Sequence, residues 1–133
     1  MRNAVHPIAL VALALSFASV VCVAAEPSPP ENTPTRVTIN VGSYYFKPDR
    51  ITVKVGTPVE LTLVKEPGIT PHNFVIRAPE AGMDIEKELG SEPTRITLTP
   101  TAAGKFTFYC GKKPPFFASH RERGMEGVLE VVN

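Results

Sequence analysis

Apolar residues alternate with polar ones along most of the chain. Val37, Ile39 and Val41 form one such run, Ile51, Val53 and Val55 a second, and Val59, Leu61 and Leu63 a third. Ile96 with Leu98 and Phe106 with Phe108 continue the series. A repeat of two places alternate side chains on one face of an extended strand, so these runs predict strands with one buried face. Turn formers separate them at Lys47-Pro48-Asp49, Gly56-Thr57-Pro58, Glu66-Pro67-Gly68 and Ala103-Gly104. Roughly seven short strands at this spacing predict an all-β fold, a Greek-key antiparallel sandwich or barrel. The stretch PEAGMDIEKELGSEP, from Pro79 to Pro93, breaks the alternation with charges and helix formers. It predicts a long crossover with room for one short helix.

The amino-terminal residues follow a different pattern. Arg2 precedes an uncharged, mostly apolar run that ends in Val23-Ala24-Ala25, small residues suited to a signal peptidase. Residues 1–25 are therefore expected to be a cleaved export signal. The competing reading is an uncleaved anchor, since Ile8 to Ala25 falls just short of the roughly 20 apolar residues of a bilayer span. Val21 before Cys22 argues against lipid attachment, which favours a smaller residue there. EPSPPENTPT follows, rich in proline and without apolar period, and predicts a disordered spacer over residues 26–35. A single domain over residues 36–133 completes the expected organisation. The expected location is periplasmic.

Composition narrows the function classes. Without residues 1–25 the chain carries 13 basic and 13 acidic residues and one cysteine, Cys110. That balance excludes a nucleic-acid binder dependent on a basic surface. A lone cysteine in an oxidising compartment must be buried, paired with another chain, or bound to a metal. There is no glycine motif for cradling phosphate and no long amphipathic helix, so function is expected at strand ends and loops.

Strand parity then gathers the candidate chemistry. In GKFTFYC, if Phe106 and Phe108 face the core, Cys110 does too, while Thr107 and Tyr109 face outward. In HNFVIR, His72 shares the face of Phe74 and Ile76, opposite Asn73, Val75 and Arg77. His120 and Met125 lie on the segment that leaves Cys110, and a sandwich can bring all four to one end. Two imidazoles, a thiolate and a thioether are the donor set of a trigonal copper site with a weak axial methionine, suited to electron transfer. Structural zinc takes four strong ligands, for which methionine is a poor choice. A cysteine–histidine hydrolase would need an exposed nucleophile beside its base, whereas Cys110 ends an inward-facing row.

With these residues in place, the chain from about Val37 to Val132 resembles the cupredoxins, the plastocyanin- and azurin-like small blue copper proteins. YYFKPDRITVKVGTPVELTL is similar to the family's second and third strands, with Phe46, Pro48, Ile51, Val53 and Gly56 in matching places. PHNF resembles the segment supplying the first histidine ligand, at His72. GKFTFYC resembles the strand delivering the thiolate, at Cys110, and HRERGMEG the carboxy-terminal ligand loop, at His120 and Met125. The resemblance implies one copper per chain, cycling between cuprous and cupric states. It further implies that hydrogen bonds from Asn73 steady the ligand loop and the thiolate. Glu126 is the alternative axial donor, a harder ligand that would lower the potential.

One feature departs from the family. Gly111 to Ser119 places nine residues between Cys110 and His120, where about two to four are usual in the family. Four residues separate His120 from Met125, a familiar spacing. Pro114 and Pro115 stiffen the inserted loop. Phe116 and Phe117 then pack over the site as a lid, form an apolar docking patch, or fill core. Lys112, Lys113, Arg121 and Arg123 outnumber Glu122 and Glu126 around them and could steer an acidic partner. His120 is the expected exit for electrons. The expected function is electron transfer by a monomer. Its redox partner would be a protein such as a cytochrome or a membrane oxidase or permease component. A copper carrier or resistance protein, or an accessory oxidising ferrous iron beside an uptake system, is the alternative.

Overall fold

The computed structural model describes residues 33–133. The expected export signal, and the spacer up to residue 32, lie outside the described residues. Nine strands follow one another: β1 (Thr35–Gly42), β2 (Tyr45–Lys47), β3 (Arg50–Lys54), β4 (Val59–Lys65), β5 (His72–Ala78), β6 (Met83–Leu89), β7 (Thr94–Leu98), β8 (Gly104–Tyr109) and β9 (Glu126–Val132). They form a four-stranded sheet in the order β2-β1-β4-β7 and a five-stranded sheet in the order β3-β9-β8-β5-β6.

The alternating apolar residues become the inner faces of this sandwich. Ile39, Val41, Leu61, Leu63, Ile96 and Leu98 line one sheet, and Phe74, Ile76, Phe108, Leu129 and Val131 the other, all within one buried cluster. Burying such side chains supplies the main driving force for the two layers to meet. Phe46, Phe74 and Phe108 form an aromatic group inside it. Phe74 stacks on Phe108 at 5.2 Å between centroids, and Phe46 meets Phe108 edge-on at 5.4 Å. Because inward side chains recur every two residues, Phe74 and Phe108 lie directly below His72 and Cys110 on their strands.

Two expectations need correction. The sheets are mixed rather than purely antiparallel, since β1 runs parallel to β4 and β3 parallel to β9. The Pro79–Pro93 segment is also more than a crossover with a short helix. It opens with a single 3-10 turn (Pro79–Ala81) and continues as β6, paired antiparallel along the whole of β5 from His72↔Leu89 to Ala78↔Met83. β6 is an edge strand, so its charged residues face solvent and obscure the alternation, a pattern that also protects an open edge from pairing with another chain.

Candidate metal centre

Each sulfur or nitrogen donor is placed by the strand it ends or begins. Cys110 follows the last residue of β8, and its N–H donates to the Met125 carbonyl at 3.0 Å, extending the β8–β9 ladder by one residue. On its other side β5 begins with His72 and Asn73. The backbone N–H of Asn73 donates to Cys110 Sγ at 3.5 Å, while its side-chain Oδ1 accepts the Gly111 N–H at 2.7 Å. Asn73 thus substitutes a side chain for the next rung of the β5–β8 ladder and ties the thiol to the start of the ligand loop. Its amide also reaches Glu86 on β6 at 3.4 Å. Gly111 packs close to the outward side chains of Asn73 and Val75, both of which are buried although parity turns them away from the core.

The donor atoms converge. The ligating atoms of His72, Cys110 and His120 lie within 4.8 Å of one another, and all three residues are buried. Both imidazoles turn Nδ1 toward Cys110 Sγ, at 3.9 Å from His72 and 3.4 Å from His120. Burial pushes the His72 imidazole down to about 4, helped by charge on His120 and Lys65. His120 is likewise lowered by burial and by Arg123 and Lys112. Both rings are neutral near pH 7, leaving nitrogen lone pairs free to bind a cation. Two neutral imidazoles facing one thiol, away from water, suit a soft or borderline metal such as copper.

Met125 is fully buried, and its N–H donates to the His120 carbonyl at 3.0 Å. Glu126 is turned outward and pairs with Arg121 at 2.9 Å. The sequence carried a signal for this choice. Val131, Leu129 and Gly127 alternate inward on β9, and counting back by twos reaches Met125 rather than Glu126.

The long insertion does not stretch the site. The His120 N–H donates to the Lys112 carbonyl at 2.8 Å, closing the base of the insertion across eight positions of sequence. Residues 113–119 are therefore an excursion from a closed neck, and along the path through the neck only Gly111 and Lys112 stand between cysteine and histidine. The return segment is fixed as well. Glu122 accepts the Ser119 N–H at 2.6 Å, and its own N–H donates to Ser119 Oγ at 3.2 Å. Gly124 and Arg123 N–H groups close the turn on Arg121, His120 and Ser119 carbonyls. Beyond the expected residues, Tyr44 meets the His120 ring edge-on at 4.9 Å, and the Arg123 guanidinium caps Tyr44 from 4.8 Å. No spacing pattern connects Tyr44 to His120, and only the folded sheet does.

Phe116 and Phe117 stand out from the protein, with relative exposures of 105% and 63%. They are neither a lid nor core. Beside them Pro71, Lys112, Lys113, Pro114, Pro115 and His120 line a largely apolar cleft of about 350 Å3. His120 is itself 1% exposed, so contact with the outside is made through that cleft.

Comparison with known proteins places these features. Residues 9–124 match the cupredoxin-like domain family. Plastocyanin of Dryopteris crassirhizoma is 33% identical over 103 residues, covering 68% of this chain and 91% of the relative. Among solved structures, a fern plastocyanin mutant aligns with a TM-score of 0.50 at 32% identity, over 72% of this chain and all of the other. Dithionite-reduced auracyanin of Roseiflexus castenholzii aligns with a TM-score of 0.60 at 21% identity, over 77% of this chain and 100% of its own, a likeness of fold. Sandwich, donor cluster and sequence agree, and the chain belongs to the cupredoxin family.

Proposed function

We propose that this protein is an exported, periplasmic electron carrier, in which His72, Cys110, His120 and Met125 would hold one copper. The observation that supports it most is the convergence of two neutral, buried imidazole nitrogens on one buried thiol. Bound copper supplies a one-electron couple between cuprous and cupric states, tuned by the thiolate and the weak thioether.

The chain's own residues prepare the site. β5 and β8 belong to one hydrogen-bonded sheet, so His72 and Cys110 are held at fixed separation whatever the oxidation state. Asn73 donates to the sulfur and restrains Gly111, and the neck at Lys112 fixes His120. A cradle this constrained opposes rearrangement between states. The aromatic group of Phe46, Phe74 and Phe108 keeps water from the inner side, a condition that raises a site's potential. The apolar cleft over His120 offers a partner protein its shortest approach to the ligands.

Export with cleavage after Ala25, and action as a monomer, complete the proposal. Among the described residues no helix is long and apolar enough to cross a membrane.

The visible spectrum with cupric ion tests the assignment. An intense thiolate-to-copper band is expected, lost in Cys110→Ser and strongly altered in His120→Gln. A colourless cupric adduct of the native protein would overturn the reading. Rapid two-way electron exchange with a cytochrome would separate a carrier of electrons from a carrier of copper.

A further inference from the structure

Large apolar side chains more than half exposed are confined, among the described residues, to Ile69 at 102%, Phe116 at 105% and Phe117 at 63%. All three lie at the ligand end. Ile69 is on the β4–β5 loop that leads into His72, and the phenylalanines are on the insertion that leads into His120. Pro71 and residues 112–115 wall a common cleft, so the two loops are neighbours.

Phe116 is costly twice. Its φ of +64° is the left-handed region, which a bulky residue seldom adopts. It occupies the third position of a turn closed by the Phe117 N–H on the Pro114 carbonyl at 3.3 Å, where glycine is the usual occupant. Its ring, wholly exposed, recovers nothing from the folded chain. A strained backbone presenting an apolar ring to solvent points to a contact outside the molecule.

Basic side chains stand close to these rings. Lys112 and Lys113 precede the turn, and Lys65, Arg121 and Arg123 border the same end. Lys112 pairs with Glu88 and Arg121 with Glu126, while Glu66 and Glu122 keep their charge and are held by hydrogen bonds from Tyr45 and Ser119, Glu122 within the field of Lys113. Lys113 and Arg123 form no ion pair within 4.0 Å among the described residues, Arg123 lying over the Tyr44 ring, and Lys65 meets only the carbonyls of Glu66 and Gly68.

We propose that this end docks on an anionic phospholipid surface, with Phe116, Phe117 and Ile69 inserted at the interface and Lys113, Lys65 and Arg123 facing the phosphates. A protein would need a matched pocket for each projecting side chain. A bilayer interface accepts protruding apolar groups in any arrangement, provided a basic rim meets the headgroups. Pro114 and Pro115 fix the backbone of the turn before contact, which lowers the ordering cost. Docking requires neither copper nor electron transfer.

The chain contains no tryptophan, so Phe116→Trp creates a single fluorescent reporter at an already exposed position. With vesicles of equal parts phosphatidylcholine and phosphatidylglycerol, its emission moves to shorter wavelength and is quenched by brominated acyl chains, in metal-free and copper-loaded protein alike. Cosedimentation of the native protein weakens at least tenfold in Phe116→Ser/Phe117→Ser. It weakens about fivefold in Lys113→Gln and falls with added salt. Unchanged emission on these vesicles, or equal sedimentation of native and doubly substituted protein, overturns the proposal. So does equal binding to pure phosphatidylcholine, or an emission shift produced by an acidic protein and not by lipid. Melting temperatures matching the native protein's confirm that the variants fold.

Discussion

His72 shows what a buried ligand costs the protein before any metal arrives. Its imidazole titrates near 4 in the folded protein against an ordinary value of 6.5. Between those values the unfolded chain takes up a proton that the folded site refuses, so stability falls as pH drops through that window and is fully present above it. His120 acts in the same direction. Urea melts of the metal-free protein should therefore show stability declining from pH 6.5 toward pH 4, with a shallower decline in His72→Asn. A flat profile over that range would contradict the burial described for both rings. At this scale the sequence was highly legible for donors, because residue type and strand parity are local properties. The contacts of Tyr44 with His120 and with Arg123 were invisible, since they depend on which segments become neighbours in the folded chain. Phe116 was ambiguous because an apolar side chain on a loop reads equally well as core, lid or surface until its neighbours are known.

Among the elements, β9 carries the tightest constraint. Gly127 sits opposite Phe108 on β8, and a methyl group there would collide with the Phe108 ring and the Asp49 carbonyl. Asp49 cannot yield easily, because its carbonyl also accepts the Val128 N–H at 2.7 Å. Gly127→Ala should cost about 1–3 kcal/mol, read as a lowered urea midpoint, and should displace Phe108 beneath Cys110. A variant with native stability would mean that the ring moves aside without strain. The strands with clean alternation were legible because each buries one face. β2, with only Tyr45 to Lys47, is too short to show a period. The partners of β1 and β3 were not readable either. Parallel pairing with β4 and β9 joins segments whose alternation is identical to that of antiparallel strands, and no turn between them sets the direction.

The whole molecule is polarised. Charge is balanced over residues 26–133, and surface ion pairs such as Arg77–Asp84 and Lys105–Glu130 are spread along the sheets, where each contributes little. Exposed apolar side chains instead collect beside the ligands. On the proposed reading, one end receives, binds and exchanges, and the rest is scaffold. The neck at Lys112 and His120 makes this division separable. A two-residue turn would satisfy the same hydrogen bond, so the seven residues 113–119 are five more than closing the neck requires. The excess can be removed on the bench. Replacing residues 113–119 with Asn-Gly should leave the copper spectrum close to native while vesicle binding disappears, and a lost band would show that the excursion supports the site. Metal chemistry and surface address would then be separately heritable, free to diverge at different rates within one small fold.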